Sequence, residues 1–291
     1  MASLRDIRKR IKSVKNTEKI TKAVKMVAAA KLRRAQDDVR LGRPYSASLD
    51  HVIARMKKRL DLQGEAPHPL LVDRQEKRKV ELLVLTSDRG LCGAFNTNIA
   101  RRAFRFYKDM QSQYQEVRVS TLGRKGHDFF RREGVAIHKN YPGILTDMSY
   151  LKAKEVAEEL CKSYIDDDVD AVFLVYSEFK SAITQTVVIK PLLPVVPASL
   201  EPEESPVDYL YEPAQQILLE KLLARHFATK LYQSFVESLA SEFGARMTAM
   251  DNATRNAKEM ISRLTLSYNR VRQAAITKEL MEIISGAEAL R

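Results

Sequence analysis

Between Thr86 and Asn98 the sequence reads TSDRGLCGAFNTN, directly after the apolar run VELLVL. A strand entering a glycine-bearing turn and then a helix can hold a phosphate, because the first N–H groups of the helix lack partners within it and point at the ligand. Here the glycines fall only at Gly90 and Gly93. They match neither G-x-G-x-x-G nor G-x-x-x-x-G-K-[ST], and the lysine of the second pattern is missing. The expectation is a tight turn or a protein contact, not a nucleotide site. The remaining chemistry-bearing residues are as scattered. His51, His68, His127, His138 and His226 form no H-E-x-x-H pair. Asp166, Asp167, Asp168 and Asp170 lack the alternating D-x-D-x-D-G spacing of a calcium loop, and they stand where a helix should end before a strand, so they read as a solvated turn. No G-x-S-x-G elbow occurs, and Cys92 has no evident base. Two cysteines, Cys92 and Cys161, are too few for a disulfide framework. No catalytic constellation, metal site or cofactor is expected.

The elements that would carry these residues are read from the distribution of breakers. All ten prolines lie between Pro44 and Pro213, and eight of the ten glycines between Gly42 and Gly143. From Ala214 to Ser285 there is no proline and a single glycine, Gly244, which permits one helix of roughly 100 Å at about 1.5 Å per residue. Its apolar residues recur at Phe227, Leu231, Phe235, Leu239, Phe243 and Met247, then at Met250, Ala257, Ile261, Leu264, Tyr268, Val271 and Ala275, with Thr254 filling the one polar place. The second part alternates steps of three and four, the period of a left-handed coiled coil, so this helix needs a partner. The N-terminal segment offers a thinner stripe: Ile7, Ile11, Val14, Thr17, Thr21, Val24, Ala28, Leu32, Ala35 and Val39. An antiparallel pair made from the two ends of the chain is the economical arrangement. Gly42 and Pro44 are expected to bend or interrupt the first helix, which would resume through Ser46 to Leu60.

Residues 1–60 hold 18 Lys or Arg against 5 Asp or Glu, a net of +13 beside +12 for the whole chain. A helix this one-sided in charge calls for an acidic partner, whether nucleic acid, anionic lipid or a protein surface. No run of about 18 apolar residues suggests a membrane span, and the N-terminus MASLRDIRKR lacks a signal-peptide core. Between Lys79 and Val196 the pattern changes. VELLVLT, EVRVSTL, VAIHKN, AVFLVYSEF and ITQTVVI read as strands, and residues 97–113, 125–133 and 149–166 as helices. Alternation of this kind implies a mostly parallel sheet, its last two strands forming a hairpin. The expected fold is α/β plus a long antiparallel coiled coil. The N-terminal helix spans residues 1–60, a Rossmann-like central domain residues 77–200, and the C-terminal helix residues 210–288, after a proline-rich acidic connection.

Several segments together carry a family resemblance: IRKRIKSVKNTEKITKAVKMVAAAKLRRAQ, TSDRGLCGAFN, DYLYEP at 208–213, FGARMTAMDNATRNA, and YNRVRQAAITKELMEIISGAEAL. They resemble the gamma subunit of the F-type ATP synthase, over residues 2 to 290 and most specifically at the two ends. The resemblance implies a central rotor shaft, itself not catalytic. Its coiled coil would lie inside a ring of alpha and beta subunits, and its foot would meet the epsilon subunit and the membrane ring of c subunits. It implies collar contacts with acidic loops of the beta subunits at Arg89, Cys92, Arg246, Arg272, Gln273 and Thr277, with Lys22, Lys25, Lys31, Arg33 and Arg34 as the charged candidates on the first helix. Ile276, Leu280, Met281, Ile283 and Ile284 would form the tip seated in an apolar bearing. Asp208, Tyr209, Tyr211 and Glu212 would belong to the foot. The implied place is the cytoplasmic face of a bacterial plasma membrane, reached only through the complex, with no nucleic-acid partner. The competing reading from the basic helix and its heptads is a coiled-coil nucleic-acid binder of the bZIP plan.

Overall fold

The computed structural model describes residues 3–63, 67–146, 148–196, 212 and 215–288. The chain divides into two compact units, one of residues 30–245 and one of residues 1–29 with 246–291. Two long helices, α1 (Leu4–Gln63) and α5 (Gln215–Glu288), contribute to both.

The larger unit holds β1 (Lys79–Leu85), α2 (Phe95–Gln111), β2 (Glu116–Leu122), α3 (Arg124–Arg132), β3 (Ile137–Tyr141), α4 (Tyr150–Ile165), β4 (Ala171–Phe179) and β5 (Gln185–Leu193). The sheet order is β3-β2-β1-β4-β5. All pairs are parallel except the β4–β5 hairpin. This is the α/β layer that the strand and helix alternation implied. β3 starts later than the apolar pattern alone suggests, because Gly134 (φ +73°) and Val135 turn back to donate to Arg131 and Phe130 at the end of α3. β5 runs on through Pro191, which an edge strand tolerates because one side of it has no ladder partner.

Alternation along β1 divides its side chains between two cores. Leu82 and Val84 face Phe95, Ile99 and Ala103 of α2 and Phe130 of α3. Leu83 and Leu85 face the core shared by α4, by Leu49, Ile53, Met56 and Leu60 of α1, and by Leu219, Leu223, Phe227, Leu231 and Phe235 of α5. Each such side chain, fully buried, contributes about 1.5–3 kcal/mol. That packing accounts for one departure from expectation. α1 is helical without a break through Gly42 and Pro44. A proline inside a helix costs about 3 kcal/mol, but the helix is held by buried Val39 on one side and buried Leu49 and Ile53 on the other.

In the smaller unit α1 and α5 pair antiparallel. The Thr21 and Thr254 hydroxyls lie 2.8 Å apart, and Lys25 meets Asp251 at 2.5 Å. The predicted stripe on α5 faces the pair, with Met250, Thr254 and Ala257 buried and Ile261, Leu264, Tyr268, Val271 and Ala275 partly covered. On α1, Ile7, Thr21 and Ala28 are buried, but Thr17 is exposed.

Candidate protein interface

The loop from Thr86 to Ala94 leaves the carboxyl end of β1. Its neighbours there are β2 on one side and β4 on the other, so it stands at the point where strand order reverses and where α/β sheets of this order bind nucleotides. The loop fills that place with its own groups. Thr86 Oγ1 accepts from Gly126 N (2.7 Å), the Ser87 carbonyl from Lys125 N (3.1 Å), and Asp88 Oδ1 from Arg124 N (3.0 Å). The first N–H groups of α3, the helix that follows β2, are thus taken by the protein. Asn96, in the first turn of α2, folds back instead of facing outward: its Oδ1 accepts from Ser87 N at 2.9 Å and its Nδ2 donates to Ser87 Oγ at 2.8 Å. Asp88 is fixed by a second bond, from Thr146 Oγ1 at 2.8 Å. Two glycines make this closure possible. A Cβ on Gly123 (φ +100°) would stand 2.0 Å from the Thr86 carbonyl oxygen, and one on Gly126 would be 2.9 Å from Thr86 Oγ1.

What the loop presents outward is Arg89, exposed, and Leu91, 70% exposed and in the left-handed conformation at φ +64°. A leucine held there is strained, and strain of this kind gathers where a surface is shaped for a purpose. The sequence carried no signal for Leu91, since its backbone angle is set by the closure around it. Cys92 corrects an expectation. Read as a surface contact, it is 2% exposed and packs with Leu82, Val84, Phe95 and Ile99. The sulfur of a small apolar side chain at the mouth of a core does better inside it than in water.

Among the basic candidates on α1, Lys22, Lys31, Arg33 and Arg34 are exposed. Lys25 is half-buried and committed to Asp251, whose carboxyl that hydrogen bond holds below its ordinary range. Lys31 sits over the Phe243 ring at 5.5 Å. On α5, Arg272, Gln273 and Thr277 are exposed and Arg246 is half-buried. The tip residues Ile276, Leu280, Met281, Ile283 and Ile284 are between 49% and 70% exposed, five large apolar side chains within nine residues. By the register of the antiparallel pair they lie beyond Leu4, where α1 begins. Of the foot residues, Glu212 is exposed, while Asp208, Tyr209 and Tyr211 fall outside the described residues.

Gly244, the lone glycine that stood out in the long helix, meets the β4–β5 turn: a Cβ there would be 3.0 Å from the Ala182 carbonyl oxygen. Ser241 Oγ donates to the Ser177 carbonyl at 3.0 Å and Tyr176 Oη to Glu237 at 2.9 Å, so the hairpin is fastened to α5 over two turns. Asp50 of α1 accepts from His226 Nε2 and Lys230 Nζ of α5, both at 2.5 Å. Burial pushes the Asp50 carboxyl up, but the bonds from His226 and Lys230 outweigh it and hold the group below its ordinary value. Among the described residues no group of His, Cys, Asp and Glu is placed to hold a metal ion.

These features define a class: an α/β domain of Rossmann strand order whose switch-point loop is closed by its own side chains, flanked in sequence by two long helices that pair antiparallel and end in an exposed apolar tip. A family model described as ATP synthase matches residues 3–290. The ATP synthase gamma chain of Anaeromyxobacter sp. (strain Fw109-5) is 50% identical over 291 residues, and that of Geobacter metallireducens 48%, each aligned over 100% of both chains. The chain belongs to the ATP synthase gamma-chain family. Its fold is similar to a chain of the Euglena gracilis mitochondrial ATP synthase (OSCP, F1 and c ring), with a TM-score of 0.70 at 21% identity over 99% of this chain and 94% of that one. It is also similar to a chain of the Tetrahymena thermophila central stalk and c ring, with a TM-score of 0.63 at 24% identity over 80% and 99%.

Proposed function

We propose that this chain is the central rotor shaft of an F-type ATP synthase, carrying the rotation of a proton-driven c ring to the catalytic alpha and beta subunits and catalysing nothing itself. The observation that carries the reading is the gamma-chain kinship along the whole length together with the exposed apolar tip of α5, which needs a bearing. In this reading residues 276–284 seat in the ring of alpha and beta subunits. Arg89, Arg246, Arg272, Gln273 and Thr277 form the collar with Lys22, Lys31, Arg33 and Arg34, answering acidic loops of the beta subunits. Cys92 contributes by packing the loop from behind, and Lys25 by fixing α1 to α5. Residues 208–212 meet the epsilon subunit and the c ring. The shaft works at the cytoplasmic face of a bacterial plasma membrane, attached through the ring; no helix among the described residues is long and apolar enough to cross a membrane.

The test is ATP hydrolysis by alpha and beta subunits mixed with and without this chain, with the chain alone as control and complex size followed throughout. A larger complex that turns over ATP, beside an inert chain, is the expected result. Hydrolysis by the chain alone, or no assembly with matched subunits, overturns the reading. In the assembled, membrane-bound enzyme Arg89→Glu should lower proton-driven ATP synthesis; synthesis equal to the parent would remove Arg89 from the collar.

A further inference from the structure

The excess of charge in residues 1–60 hides a second basic surface. α2 and α3 together carry eight Lys or Arg (Arg101, Arg102, Arg105, Lys108, Arg124, Lys125, Arg131 and Arg132) against Asp109 and Asp128, a net of +6. In the sum over the chain it is cancelled by acidic residues elsewhere, so composition does not reveal it. All eight are exposed. They form one face, because α2 and α3 cover the same side of the sheet and are tied together by Phe104 against Phe129 and Phe130, with ring centroids 6.0 and 6.2 Å apart. Arg101, Arg105 and Lys108 follow helical spacing opposite the buried Ile99, Ala103 and Met110. The face has almost no counter-ions: among the described residues its ion pairs are limited to Arg124 with Asp128 at 3.8 Å.

From this face we propose that α2 and α3 form a docking surface for anionic phospholipid headgroups, a contact that rests on the rotor reading because it needs a membrane within reach. A folded protein partner is usually anchored by apolar or aromatic side chains at the centre of its interface. None of the exposed large apolar side chains of the described residues comes from α2 or α3. A purely charged face suits instead a layer of mobile, closely spaced phosphates, which a set of guanidinium forks can meet without fixed partners. Six of the eight cations are arginines. Single-stranded nucleic acid offers similar phosphates, but the aromatic rings of α2 and α3 are turned inward or half-covered and offer no stacking platform.

The experiment uses the catalytic complex assembled with this chain and without the c ring, so that α1 is occupied, centrifuged with vesicles of phosphatidylcholine with and without phosphatidylglycerol at about 0.15 M salt. Binding only to the anionic vesicles is expected, falling as salt rises. The triple variant Arg101→Glu, Arg105→Glu, Arg131→Glu, all at exposed positions, should weaken it at least about tenfold while ATP hydrolysis stays at the parent level. Indifference to phosphatidylglycerol, or vesicle binding unchanged in the variant, overturns the proposal. So does tighter binding of poly-glutamate or duplex DNA through the same arginines. If the complex does not assemble, the rotor reading fails, and the same vesicle comparison on the full chain then decides the lipid surface separately.

Discussion

Gly123 is the residue on which the closure of the switch-point loop turns. Its φ of +100° and the 2.0 Å that would separate a Cβ from the Thr86 carbonyl oxygen leave no room for any side chain. Gly123→Ala is expected to cost on the order of 3 kcal/mol in chemical unfolding; a loss no greater than that of an exposed-helix substitution would show that the loop can relax. Glu81 is the other residue with a testable consequence. It lies mid-sheet on β1, 3% exposed, and accepts from Ser120 Oγ at 2.6 Å. Burial pushes its carboxyl above the ordinary 4.5, and the opposing pull of Ser120, His138 and Arg118 is weaker. A raised carboxyl favours the fold below the unfolded value and loses that contribution as pH rises through the folded one. Glu81→Gln keeps an acceptor for Ser120 and removes the charge, so it should raise the melting temperature at neutral pH and give no gain below 4.5. A gain that is the same at every pH would mean that the charge is not the cause.

At the scale of elements, the pairing of α1 and α5 in the smaller unit turns on a buried pair of hydroxyls. The Thr21 and Thr254 hydroxyls are buried 2.8 Å apart; Thr21 donates to the Glu18 carbonyl at 3.0 Å, and Thr254 has one proton to share between Thr21 and the Met250 carbonyl at 2.7 Å. Losing one hydroxyl leaves its mate short of a partner, whereas replacing both by an apolar group of the same shape closes the layer. Thr254→Val alone should therefore destabilise by about 1 kcal/mol, and adding Thr21→Val should recover most of that in a double-mutant cycle of thermal unfolding. Strictly additive losses would show that the two hydroxyls do not interact. The same layer sets register: an apolar seam of small residues slides more easily than one holding a hydroxyl pair and the Lys25–Asp251 bridge.

For the whole molecule, the consequence is a separation of stability from function. The tip of α5 buries little within the chain, its five large apolar residues being at least 49% exposed. Removal of residues 276–291 should leave the melting temperature of the isolated chain within about 2 °C of the parent. In the assembled enzyme the same truncation should lower the ATP synthesised per proton moved. A matching loss of stability in the isolated chain would mean that the tip serves the fold and not a bearing.

The sequence by itself determined which segments are helix and strand, and that the two ends pair. Breaker positions and apolar period are local properties, and a stripe from Met247 to Ala275 repeating near 3.5 residues leaves a helix few other ways to cover it. It also excluded the nucleotide motifs at Thr86–Asn98. What only the tertiary structure decided depends on groups far apart in the chain. Thr86 closes on Gly123 and Gly126, so the loop after β1 is held against the start of α3. Cys92 turns inward because the core of α2 and α3 lies beneath it. Pro44 stays inside α1 because buried residues on both sides hold the helix. The arginines of α2 and α3 become a single surface through three phenylalanine rings. Period and propensity act between neighbours in sequence, whereas burial and charge density are set by neighbours in space, and those exist only after packing has chosen them.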